Sequence, residues 1–226
     1  MKKIIVFLLL ITLCSFSNYS SAREQLPAGT KLMVDYYGRP GVASPGILGQ
    51  FTIEELMPKI KEQAAEYAKI IGDENVTPAF HLIYGLAAAD PGRDKDYLIP
   101  LSDEKIMKYT KAAKDNSFAV IIDSQLGKMT PIEAIKPVLK YLQYDNVHLA
   151  IDPEFEVYGL DVRPGKVIGH ITGEEINQVQ SAMMDYMKEN GVEEDKPSMM
   201  TPKQVLGIEL VGGAQIKEAP KYINYQ

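Results

Sequence analysis

Tryptophan is absent from this 226-residue chain, cysteine occurs once, at Cys14, and histidine occurs three times. A single thiol can form neither an internal disulfide nor a multi-cysteine metal site. His81, His148 and His170 lack the H-x-x-x-H spacing that sets two imidazoles on one helix face around zinc. Without tryptophan, stacking on a sugar ring would fall to tyrosine. The glycines show neither the G-x-G-x-x-G nor the Walker spacing, which argues against a cradle for nucleotide phosphates. No G-x-S-x-G elbow is present for serine hydrolysis. Basic charge is the scarcer sign, 24 Lys and Arg against 30 Asp and Glu, for a net charge of −6. Nucleic acid is therefore a poor partner, since phosphate binding needs a basic face.

Long apolar runs are also missing. The longest opens the chain, Ile4-Ile-Val-Phe-Leu-Leu-Leu-Ile11. A bilayer needs roughly 20 apolar residues, so this run is too short to span one comfortably. It follows Met1-Lys2-Lys3 and leads to Ser20-Ser21-Ala22, the small residues a signal peptidase accepts. Residues 1–22 thus read as a cleavable secretory signal peptide. The expected location is secreted, periplasmic or cell-envelope, with no stable membrane span after cleavage. Lipoprotein anchoring through Cys14 ranks lower, because Leu13 stands where a small residue is needed. Cleavage would leave residues 23–226, with no thiol and, once Lys2 and Lys3 are lost, a net charge of −8. That length suits a single domain with a substantial core.

Short apolar runs alternate with amphipathic stretches. Strands are expected at 31–37, 76–84, 118–123, 147–152 and 205–211, and helices at 52–71, 102–116, 131–144 and 173–190. Thr52-x-x-Glu55, Thr130-x-x-Glu133 and Thr172-x-x-Glu175 fit the capping box at helix starts. Pro58 and Pro137 fall inside expected helices, where each predicts a kink or a delayed start. Strict alternation argues for parallel βαβ units. Nearly every strand ends in polar residues: Asp35, His81, Asp123 with Gln125, and Asp152 with Glu154. Polar groups from many strand ends converge at the mouth of a (β/α) barrel, whereas a doubly wound sheet gathers them at one switch point. The expected fold is α/β, a TIM-barrel-like (β/α) domain of parallel strands. Its four or five units make it incomplete beside an eight-unit barrel of about 250 residues. The tail 193–226 has weaker periodicity.

In Ala150-Ile151-Asp152-Pro153-Glu154, strand alternation would put Ala150, Asp152 and Glu154 on one face. Carboxylates two residues apart on a strand have α-carbons about 6–7 Å apart. Such a pair can divide into one protonated acid and one charged group. The plainer reading is an Asp-Pro turn at a strand end. Asp123 would approach Asp152 from the neighbouring strand, with Gln125 on its face; alone it reads rather as a turn carboxylate, a reading that fits less well beside Asp152 and Glu154. Tyr36 and Tyr37 end the first strand, before a loop rich in glycine and proline, and read either as sugar contacts or as core residues. His81 by itself reads as a core histidine. His148 falls at the wrong end of its strand, and His170 lies in a loop.

Tyr36-Tyr37-Gly38-Arg39-Pro40-Gly41, Pro78-Ala79-Phe80, Ile122-Asp123-Ser124-Gln125-Leu126-Gly127 and Leu149-Ala-Ile-Asp152-Pro153-Glu154-Phe155 together resemble a group of exported bacterial cell-envelope proteins with glycoside-hydrolase-like (β/α) barrels. The resemblance covers about residues 32–192 and rests on four motifs in order. It implies a secreted barrel but supplies no reaction to carry over. The tail from Glu193 departs from it.

These readings lead to a secreted glycoside-hydrolase-like protein that acts on or binds a polysaccharide or peptidoglycan glycan. Glu154 would be the acid/base, and Asp152 or Asp123 its partner carboxylate. Asp35, Tyr37, Gln125 and His81 would orient the sugar, and no cofactor or metal is needed. A noncatalytic envelope protein that binds a carbohydrate or other ligand at the same mouth is the alternative. A metal-dependent phosphodiesterase is another, with Asp35, Asp123, Asp152 and Glu154 holding Mg²⁺ or Ca²⁺.

Overall fold

The computed structural model describes residues 32–72, 76–192, 206–208 and 215–216, the last two segments as backbone only. The signal-peptide reading, with Cys14, lies outside the described residues.

The first unit is β1 (Leu32–Arg39), β2 (Val42–Gly46) and α1 (Ile53–Ile71). Next come β3 (Val76–Ala87), β4 (Leu98–Pro100), α2 (Asp103–Asp115) and β5 (Ala119–Gln125). Then α3 (Pro131–Ile135) runs into a 3-10 helix (Lys136–Gln143) and β6 (Val147–Asp152). Last are β7 (His170–Ile171), α4 (Gly173–Glu189), β8 (Leu206–Ile208) and β9 (Gln215–Ile216).

The protein is α/β. Among the described residues its main sheet runs β2-β1-β3-β5-β6-β8, with β4 beside β3, and is not closed. Every pairing along β1-β3-β5-β6-β8 is parallel and follows chain order. Two antiparallel strands make the sheet mixed rather than purely parallel: β2 folds back on the tip of β1, and β4 on the end of β3. The β1–β2 fold-back depends on glycine. At Gly46 (φ +82) an added Cβ would fall 2.2 Å from the Tyr37 carbonyl oxygen, and at Gly49 it would fall 1.8 Å from that of Val42.

Thr52, Thr130 and Thr172 form the expected reciprocal capping boxes, and Ser102 caps α2. α1 continues through Pro58 and stops at Gly72 in the left-handed region. Pro137 does break its helix. It lacks the N–H for a bond to Glu133, and the segment after Ile135 is 3-10 rather than the expected α-helix to 144.

Strand alternation divides the sheet into two unlike faces. Phe80 and Leu82, Val120 and Ile122, and Leu149 and Ile151 pack in one core with buried residues of all four α-helices and the 3-10 helix. Ala79, Ala119, Ile121 and Ala150, with Met33 against them, form a separate small cluster from the opposite parity. Among the described residues, therefore, the helices cover one face only. A doubly wound sheet would carry them on both. No helix of the described residues is long and apolar enough to cross a membrane.

Candidate functional site

The helix-free face carries the chemistry. On β1, Asp35 and Tyr37 share the parity of Met33; on β3, His81 shares that of Ala79. Asp123 and Gln125 follow Ala119 and Ile121 on β5, and Asp152 follows Ala150 on β6. The parallel register sets Tyr37 opposite His81, and Gln125 opposite Asp152. Four adjacent strands thus bring a polar group to one edge, above a layer of small apolar residues.

His81 is the centre of the first half. Its Nδ1 lies 3.5 Å from Asp35 Oδ1 and its Nε2 lies 3.9 Å from Asp123 Oδ2. Tyr37 meets the imidazole edge-on, with ring centroids 5.0 Å apart. Protonated, His81 offsets one of the two flanking charges. Access differs sharply: the Asp35 side chain is 23% exposed, that of His81 7% and that of Asp123 0%.

Gln125 organises the second half. Its amide nitrogen donates to Asp152 Oδ2 at 3.3 Å and lies 3.5 Å from the Tyr37 hydroxyl. Its carbonyl oxygen accepts the Ala87 N–H at 2.7 Å. The buried amide is thus held at three points, by Tyr37, Asp152 and Ala87.

Asp152 faces Gln125, and Asp123 is set opposite Ala150. Asp123 meets His81 on the β3 side. The other Asp152 oxygen, Oδ1, accepts the Glu154 N–H at 3.0 Å. Here the alternation argument fails. β6 ends at Asp152, and Glu154 sits half-buried in a 3-10 turn, Pro153–Phe155, closed by the Glu156 N–H donating to the Pro153 carbonyl. Pro153 has no N–H for a strand ladder, so the extended chain stops before Glu154 takes the face of Ala150 and Asp152.

A long loop follows. The Gly169 N–H donates to the Glu154 carbonyl at 2.8 Å, and the Val157 N–H donates to that of Gly127 at 2.8 Å. The buried carboxylate of Glu156 accepts the backbone N–H groups of Tyr158 and His170. His170 is exposed and belongs to this closure. His148 is buried on the polar face but near the opposite, N-terminal end of β6, as expected.

Arg39, which the sequence offered only as part of the motif spanning residues 36–41, lies at the tip of β1. Its buried guanidinium donates to the carbonyls of Ile83, Tyr84 and Pro100 at 3.0, 2.6 and 3.0 Å. Burial lowers its pKa from the ordinary arginine value, and the nearby Tyr84 opposes the shift. The charge ties β1 to β3 and β4 just beyond the site. The one available signal was a cation between Gly38 and Pro40, at a strand end.

Among the described residues, no group of three or more His, Cys, Asp or Glu side chains is placed to hold a metal ion. His81 and Gln125 stand between the carboxylates instead. The chain matches no protein-family model, no curated protein and no solved structure.

Proposed function

We propose that the chain is an exported, glycoside-hydrolase-like protein of barrel-like winding that acts on a cell-envelope polysaccharide or peptidoglycan glycan. One observation carries this reading. Four neighbouring parallel strands bring Asp35, Tyr37, His81, Asp123, Gln125 and Asp152 to one end of the helix-free face. Barrel enzymes keep their sites at that end of their strands. Chain-order winding with helices on one face, and the resemblance over residues 32–192, support the same conclusion.

In this proposal Glu154, off the strand face in the turn just beyond β6, reaches over that end of the sheet as the acid/base that protonates the glycosidic oxygen. Asp152 positions it through the Glu154 N–H. Asp35, the more exposed of the two carboxylates beside His81, faces substrate as the second carboxylate, backed by His81 and Asp123. Tyr37 presents its hydroxyl and ring to the sugar.

The test is product release from peptidoglycan and a polysaccharide panel by residues 23–226. Glu154→Gln should lower the rate by roughly 10²-fold or more, the usual worth of general acid–base catalysis, with the fold retained by circular dichroism. A folded wild type that cleaves nothing sinks the catalytic reading. The burial of Asp123 and Asp152 favours one second reading, a noncatalytic glycan-binding protein. That reading predicts binding without turnover, weakened rather than abolished by Glu154→Gln.

A further inference from the structure

Beside the carboxylate group, at the same edge of the sheet, lies a depression of about 270 Å³. Its walls are Ala87–Ala89 after β3, Phe155, and the turn Arg163-Pro164-Gly165-Lys166. We infer that this depression is a subsite for an acidic sugar unit, with Arg163 and Lys166 taking the carboxylate and Phe155 lying against the ring. The inference rests on the glycan reading and names its substrate class.

The depression is joined to the site by covalent and hydrogen-bonded links. Ala87 lines it and donates its N–H to Gln125, which in turn donates to Asp152. Phe155 lines it and directly follows Glu154 in the same 3-10 turn. A sugar held here sits next to the unit acted on at the carboxylates. At about 270 Å³ it falls just under the roughly 300 Å³ at which pockets for drug-sized ligands begin, which limits it to a single unit.

Its charge is opposite to that of its surroundings. The chain carries a net charge of −6, and Asp35 and Asp152 lie at the same end of the sheet, with Glu154 in the turn just after β6. An anionic ligand approaching them is repelled unless cations are placed for it. Among the described residues, Arg163 and Lys166 are the charged lining of the depression. A neutral sugar would need neither.

The two cations sit on a stiff frame. Pro164 fixes φ at the second position of their turn, and Gly165 takes φ +78 at the third. The Lys166 N–H donates to the Arg163 carbonyl at 3.3 Å. A Cβ on Gly165 would come 4.0 Å from Cε1 of Phe155, so the turn runs beside that ring. The Glu156 carboxylate and the Gly169-to-Glu154 bond clamp the base of the loop. The backbone that carries Arg163 and Lys166 is therefore set beside Phe155 before any ligand arrives, which reduces the ordering cost of binding.

Titration calorimetry on residues 23–226 tests this. The probes are oligomers of galacturonate and of mannuronate and peptide-free muramoyl glycan, each with its methyl ester, together with inorganic phosphate. At least one acidic oligomer should bind 10-fold or more tighter than its ester. Arg163→Gln combined with Lys166→Gln should erase that preference without changing the thermal midpoint, and Arg163→Lys should retain it. Equal binding of acid and ester, in wild type and variant alike, overturns the subsite while leaving the glycan reading intact. Phosphate binding that depends on Arg163 and Lys166, with no preference for acidic oligomers, overturns the sugar assignment in favour of a simple anion site. No binding of any oligosaccharide overturns both.

Discussion

Arg39 brings a formal charge to the end of a strand and satisfies three backbone carbonyls there. Hydrogen bonds to a charged group are each worth about 1.5–3 kcal/mol, and a buried acceptor left bare costs about as much. Arg39→Met keeps much of the packing and removes the donors. It should destabilise the protein by roughly 2–4 kcal/mol, or about 5–12 °C of thermal midpoint for a chain of this size. A midpoint within 1 °C of wild type, by calorimetry, would show that the clamp is energetically idle. The residue scale was also where the sequence was hardest to read. Alternation correctly put Asp123 with Gln125 and Asp152 with Ala150, because period two is fixed by the pleat. It failed for Glu154, where Pro153 ended the pleat one residue early. His81 passed for a core residue because its partners, Asp35 and Asp123, lie 46 and 42 positions away in sequence. Only strand order brings them together.

At the scale of elements, local chemistry spoke clearly where it was strong. Three capping boxes marked three helix starts, because each is a reciprocal bond between a threonine and a glutamate three residues on. The strands β2 and β4 gave no comparable signal. Both are short and partly exposed, and their pairing is set by glycine contacts and by the loop before β4. The loop from 156 to 169 was equally silent, since its order comes from a buried carboxylate and close backbone approach. Gly169 shows this most directly. An added Cβ would lie 2.2 Å from the Pro153 carbonyl oxygen and 2.6 Å from the Glu156 nitrogen. Gly169→Ala must push backbone from backbone, which costs about 1–3 kcal/mol by analogy with overpacking. The strain should open the base of the loop. Limited proteolysis should then cut between residues 156 and 168 faster in the variant, while the sheet core stays resistant. Equal cleavage rates in the two proteins would contradict the closure described above.

For the molecule as a whole, strict βα alternation and polar strand ends made the α/β class and the parallel strand run legible. Whether the run closes is a property of the whole sheet, and no local pattern encodes it. A second global trait is the response to alkali. Burial raises the pKa values of Tyr36, Tyr84, Tyr109 and Tyr141 above the ordinary tyrosine value, and for Tyr141 the hydrogen bond to Asp103 adds to it. A raised folded-state value means the stability is fully present below the unfolded value of about 10. It is lost as pH climbs from there towards the folded value. Denaturant midpoints should hold steady as pH approaches 10 and fall above it. Tyr141→Phe should flatten part of that fall, because its hydroxyl no longer ionises. A fall of equal steepness in the variant would assign the alkaline loss to other groups.

The order of the strands also bears on how the chain acquires its shape. Each of β3, β5, β6 and β8 pairs in parallel with the member of the run that precedes it in sequence. Among the described strands, no later one has to insert between two earlier ones. The sheet can therefore lengthen at one edge as the polypeptide emerges, each new strand finding its template already in place. A doubly wound sheet must leave a gap beside its first strand for a partner synthesised much later. Here nascent-chain growth and sheet growth run in the same direction, which limits how long an unpaired strand edge stands open to aggregation.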